Sequence, residues 1–156
     1  MIYEYFDKAL KVIKDNKIFY NEKILEKTIK YLELYMVNND LINFLSKYSF
    51  TTFIEFNKVS FDKVNNLPDF NSEPENKNCI ENGYLIIGSG LNGDLIVTNI
   101  KNMNVGFVFH DELWENPKVD FNRILIDMKC KIDEFYYNSI FKENYPVDAY
   151  QAEEYF

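Results

Sequence analysis

Apolar residues along this chain change period twice. They first recur at helical spacing, as Tyr5, Phe6, Leu10 and Ile13 and then as Ile24, Leu25, Ile29, Leu32 and Met36. Asn21 is placed to cap the second of these helices, and Glu22, Lys23, Glu26, Lys27 and Lys30 fall on its polar side as a solvated face. Asn38-Asn39-Asp40 reads as a break and a new cap. A short third helix follows, carrying Leu41, Ile42, Phe44 and Leu45 and ending near Tyr48.

From Thr51 the period shortens. TTFIEFNKV is rich in β-branched and aromatic residues, with Phe53, Ile54 and Phe56 in a predicted strand. Asn65 to Asn82 breaks the pattern with Pro68, Ser72, Pro74 and several asparagines, and reads as a long loop. Tyr84 to Asn99 (YLIIGSGLNGDLIVTN) then sets two apolar runs on either side of a glycine-rich turn, which predicts a β-hairpin. A turn at Asn102 to Asn104 leads to a third strand, in which Val105, Phe107 and Phe109 alternate with Gly106, Val108 and His110. Trp114, Asn116 and Pro117 fall in a loop. Asp120 can cap a long helix from Phe121 whose stripe is Ile124, Leu125, Met128, Ile132, Phe135 and Tyr136, and Pro146 suits the first turn of a last helix with Asp148, Glu153 and Glu154 on its surface. The periodicities therefore predict helices at both ends of the chain and strands between them.

Three of the five glycines, Gly88, Gly90 and Gly93, fall inside the hairpin turn. GSGLNG also resembles a fragment of a phosphate-binding loop. Such loops place a helix N-terminus directly after the glycines, so that backbone N–H groups and the helix dipole face the anion. Here Asp94 follows Gly93 and opens a strand, with no GK[ST] ending. The hairpin reading is favoured, and the glycines are assigned to the turn.

Length and composition narrow the function. At 156 residues the chain fits one domain, residues 1–156, on the usual scale of about 100–200 residues per domain. The net charge of -8 disfavours nucleic acid and anionic membrane as partners, because both select clustered Lys and Arg; a basic partner is favoured, or simply solubility. Aromatics reach 17%, enough to fill much of a core and to supply an exposed recognition surface as well. No apolar run approaches transmembrane length, no signal-peptide h-region is visible, and Cys79 and Cys130 are far apart without CxxC spacing. These features point to a cytoplasmic protein with reduced, structural thiols.

Candidate chemistry is sparse. The single histidine, His110, excludes a multi-imidazole metal site, no calcium-loop spacing occurs, and neither metal nor cofactor is expected. His110 and Asp111 are adjacent, so on a strand they would point to opposite faces, and no nucleophile motif accompanies them. No catalytic residue is assigned. Asp111, Glu112 and Glu115 around Trp114 form an acidic, aromatic segment that could serve acid–base work, a cation, or a basic protein surface. The alternative for Trp114 is burial beneath the long helix.

At this point YLIIGSGLNGDLIV followed by VGFVFHDE resembles the core of the SUKH superfamily, the Smi/Knr-like group. The matching positions are Ile87, Gly88, Gly93, Asp94, Gly106, Val108 and Asp111. Members often carry a Leu-Pro helix start before the first strand, whereas Leu67-Pro68 here falls in the segment read as a loop. The resemblance implies an α+β fold, with a central mainly antiparallel sheet flanked by N-terminal and C-terminal helices. For bacterial members it implies immunity proteins that bind and neutralise polymorphic toxins, often nucleases, by stoichiometric protein–protein binding, without catalytic residues. The expected partner is then a cognate basic toxin domain, and the tentative contact residues are Asp94, Asp111, Glu112, Trp114 and Glu115. Two rivals remain: a small ligand-binding or enzymatic domain using the Asp94, Asp111 and Glu112 carboxylates, and a regulatory scaffold. A closed pocket holding those carboxylates would favour an enzyme; an open surface would favour binding.

Overall fold

The computed structural model describes residues 3–15 and 17–156. In chain order the elements are α1 (Glu4–Lys14), α2 (Glu26–Leu34), α3 (Asn39–Lys47), β1 (Ile54–Phe56), β2 (Val59–Phe61), a 3-10 turn (Val64–Asn66), α4 (Leu67–Ser72), α5 (Lys77–Glu81), β3 (Tyr84–Ser89), β4 (Leu95–Asn99), β5 (Asn104–Val108), α6 (His110–Glu115), α7 (Phe121–Ile124), β6 (Leu125–Lys131), α8 (Ile132–Phe141) and α9 (Ala149–Tyr155). The fold is α+β: an antiparallel sheet in the order β3-β4-β5-β6, a separate β1-β2 hairpin, and helices around both.

The three N-terminal helices form as their apolar spacing predicts, and Asn38 caps α3 by accepting from the Asp40 N–H at 2.7 Å. The Asn21 cap is corrected: Asn21 bridges Phe50, and Asn65 ties down the entry to α2 by accepting from Leu25 N–H and Thr28 Oγ1–H. A buried amide from a distant turn outcompetes a nearby exposed one, because it satisfies donors that have no water to turn to.

Aromatic side chains join these helices to the rest. Phe6 of α1 meets Phe44 of α3, Phe56 of β1, Phe61 of β2 and Tyr136 of α8 with ring centroids 4.9 to 5.6 Å apart. All five rings are fully or almost fully buried. The aromatic excess is thus spent chiefly on the core, where each ring removes a large apolar area from water and edge-to-face contact adds about 1 kcal/mol per pair.

Four sequence expectations are corrected. TTFIEFNKV folds as two short strands, since Asn57 takes a left-handed φ of 63° and turns the chain, pairing Phe56 with Val59. The long loop contains α4 and α5; Leu67-Pro68 opens α4, where proline needs no N–H. Trp114 lies on helix α6 rather than in a loop. The long C-terminal helix is three elements. Asp120 does cap its start, accepting from Asn122 N–H, but α7 ends at Ile124 and residues 125–131 form β6, paired with the open edge of β5 through Val108 with Leu125, Phe107 with Ile126 and Gly106 with Asp127. An unpaired edge between buried faces must find backbone partners, and that demand overrides a local helical stripe.

The other edge of the sheet is closed differently. The Asn71 side-chain amide accepts from Ile86 N–H at 2.8 Å and donates to Ile86 C=O at 3.0 Å, standing in for a strand. Beyond it Asp62 N–H donates to Ile87 C=O, so β2 takes over where β3 bulges between Ile86 and Gly88. Both devices block edge-to-edge association at β3.

Candidate functional site

The hairpin turn cannot cradle a phosphate. Five of its N–H groups are spent inside the protein: Ser89 on Ser60 Oγ, Gly90 on Asp94 C=O, Leu91 on Val147 C=O, Gly93 on Gly90 C=O and Asp94 on Asn92 Oδ1. Assignment of all three glycines to the turn is corrected in part. Gly93 does need its positive φ of 94°. Gly88 and Gly90 are required by close approach instead, since an added Cβ would lie 1.9 Å from Ser60 C=O oxygen and 2.3 Å from that of Val147.

Asp94 has no exposed surface, so its expected place among surface contact residues is corrected. It sits where the hairpin meets two helix starts. Its carboxylate accepts from the backbone N–H of His110, the first residue of α6, and of Ala149, the first residue of α9. Asn92 Nδ2–H also donates to it, and His110 Nδ1 lies 2.6 Å away. The positive ends of two helices and three kinds of donor compensate the lost hydration of the carboxylate.

His110 continues the chain of contacts outward. Its Nε2 is 2.8 Å from Asp111 Oδ1, so the ring lies between two carboxylates. The expectation that His110 and Asp111 face apart is corrected, because residue 110 begins a helix rather than ending a strand. An imidazolium satisfies both contacts and a neutral ring only one. Asp94, His110 and Asp111 also lie close enough together to share a cation. Any cation there would have to displace donors from Asp94, whose oxygens are already occupied.

Asp111, Glu112, Trp114 and Glu115 are exposed on α6, as the surface reading expects. Trp114 is 44% exposed, with its Nε1–H donating to Asn76 Oδ1 at 2.9 Å and its ring edge-on to His110. It is therefore a half-exposed ring held in one orientation, not a core residue. Tyr150 of α9, which sequence patterning does not single out, stands beside this face at 54% exposure and packs on Phe109. Asp111, together with burial and with Asp94, Glu112 and Asp148, raises the pKa of its hydroxyl, which places the phenol in a negative field. No spacing rule links Tyr150 to Asp111; only the joint anchoring of α6 and α9 on Asp94 does.

A groove of about 800 Å³ runs between the β1–β2 hairpin, α4 and the β3–β4 turn, and the carboxylates named from sequence do not line it. Neither thiol is poised for chemistry, since burial raises Cys79 to about 12 and Cys130 to about 11. No helix among the described residues is long and apolar enough to cross a membrane. Comparison with protein-family models, with curated proteins and with solved structures produced no match to this chain.

Proposed function

We propose that this protein is a SUKH-like immunity protein that neutralises a basic toxin domain, in the cytoplasm, by stoichiometric binding through the α6–α9 face. One observation carries the reading: Asp111, Glu112 and Glu115 lie open on a surface with two half-exposed aromatic anchors, Trp114 and Tyr150, rather than lining the groove. Rigid aromatics supply contact area at low entropic cost, and a carboxylate field steers a cationic partner and competes with phosphate for its cleft. The net charge of -8 supports the same reading, as do the Gly93-Asp94 hairpin and the Leu67-Pro68 helix start.

Co-expression with candidate basic toxin domains, nucleases among them, tests it. Recovery of growth and an equimolar complex are expected, with Glu112→Lys and Glu115→Lys together weakening the complex and flattening its salt dependence. Absence of both rescue and complex across the candidates would overturn the function. Unchanged affinity of the double variant would move the contact surface away from α6.

A further inference from the structure

The 800 Å³ groove is lined in part by Asp62, a partly buried acid whose carboxyl has no protein partner among the described residues. Val59 and Phe61 of β2 point into the aromatic core, so Ser60 and Asp62 share the opposite, groove-facing side. Ser60 Oγ is used, 3.1 Å from Ser89 Oγ and accepting from Ser89 N–H. Asp62 is not: its backbone N–H bonds to Ile87, but among the described residues its carboxyl has no hydrogen bond and no ion pair. Burial alone pushes its pKa up to about 6.

The neighbouring charges do not compensate it. Lys63 also lines the groove, yet its Nζ is engaged 3.4 Å from Glu22 Oε1. Lys58, at the hairpin tip, and Glu55 of β1 are exposed on the rim, and Tyr136 of α8 feels Asp62 from within the core. The N–H groups of Ser89, Gly90 and Leu91, where the β3–β4 turn borders the groove, are already spent within the protein. The groove walls are mixed, with polar residues such as Thr51, Thr52 and Asn66 beside the apolar side chains of Phe53, Phe70 and Leu91, and Phe53 and Leu91 are more than half exposed.

A carboxyl without a protein partner, in a groove that also presents Phe53, Phe70 and Leu91, favours a cationic group on an apolar stem. We infer that this groove is a binding site for an alkylguanidinium or alkylammonium ion, whose charged end meets Asp62 and whose stem rests on Phe53, Phe70 and Leu91. The cation comes either from a free small amine or from an arginine or lysine side chain of a bound protein. The site lies apart from the α6 carboxylates and stands whether or not those carboxylates bind a toxin.

Titration of isotope-labelled protein with arginine amide, followed by amide NMR, tests the site. Saturable shifts at Ser60, Asp62 and Ser89 are expected. Citrulline amide, its uncharged isostere, should bind at least about tenfold more weakly, and so should arginine amide to Asp62→Asn. Binding should strengthen between about pH 5 and pH 7 as Asp62 ionises, and Asp62→Asn should lose that dependence. A blocked Gly-Arg-Gly peptide binding more tightly than arginine amide would assign the cation to a protein side chain; the reverse would assign it to a free amine. Absence of saturable shifts, equal affinity for Asp62→Asn, or shifts confined to residues 111–115 would each overturn the inference. Because Asp62→Asn keeps the side-chain shape, its dispersed spectrum separates lost binding from lost folding.

Discussion

Asp94 and Asp62 are both carboxylates taken largely out of water, and the fold treats them in opposite ways. Asp94 is surrounded by donors, two of them at the starts of α6 and α9, and holds three segments of chain together. Asp62 faces a groove, and among the described residues no side chain or backbone N–H donates to its carboxyl. The difference separates architecture from readiness to bind: a buried charge with every lone pair satisfied rigidifies what surrounds it, whereas one left bare stores a desolvation cost that a ligand can relieve.

Removing the Asp94 carboxylate should have the largest effect. Asp94→Ala leaves the Ala149 N–H and His110 ring without their acceptor, and should destabilise the fold by about 4 kcal/mol in urea unfolding. A loss under about 1 kcal/mol would mean that the hub does not hold the helices.

Asp62→Asn should move stability the other way. The folded state raises the Asp62 pKa from its ordinary 3.8 to about 6, so protonation favours folding. That contribution is complete below 3.8 and lost as the pH rises through 6. The substitution should therefore stabilise the protein by about 2 kcal/mol near neutral pH and change little near pH 4. Equal stabilities at both pH values would show that Asp62 is adequately solvated, and the contrast with Asp94 would fail.

His110→Ala sharpens the comparison at a smaller scale, deleting one contact to Asp94 and the edge contact to Trp114. A cost of about 1–2 kcal/mol is expected. Trp114 is the only tryptophan, so its emission should shift to the red as the indole loosens. Unchanged emission would show that Asn76 alone fixes the ring. The smallest effect belongs to Glu112→Lys with Glu115→Lys, which should alter stability by less than about 0.5 kcal/mol because both side chains are exposed. Any larger change would tie the acidic face to the fold rather than to recognition.

Local pattern was sufficient where an element is specified by its own residues. The α3 cap at Asn38, the β3–β4 hairpin around Gly93 and the Asp120 cap each rest on contacts within a few positions. Residues 125–131 misled because Ile124, Leu125, Met128 and Ile132 satisfy a helical period, while the deciding force was the unpaired edge of β5, which no local window contains. The short helices α4 and α5 were hidden for a related reason: six and five residues are too few to show periodicity, and they are held by packing on β3.

The candidate chemistry divides along the same line. By itself the amino-acid sequence determined the N-terminal helices, the central hairpin, the acidic balance, the scarcity of catalytic motifs and the polar surface of Asp111, Glu112 and Glu115, because composition and short-range period govern those properties, while the α+β class came from the family resemblance. Tertiary structure alone decided that Asp94 is an internal anchor, that Tyr150 joins the α6 face and that Asp62 stands unpaired in a groove. Each depends on which distant groups supply or withhold a hydrogen bond after the chain has folded.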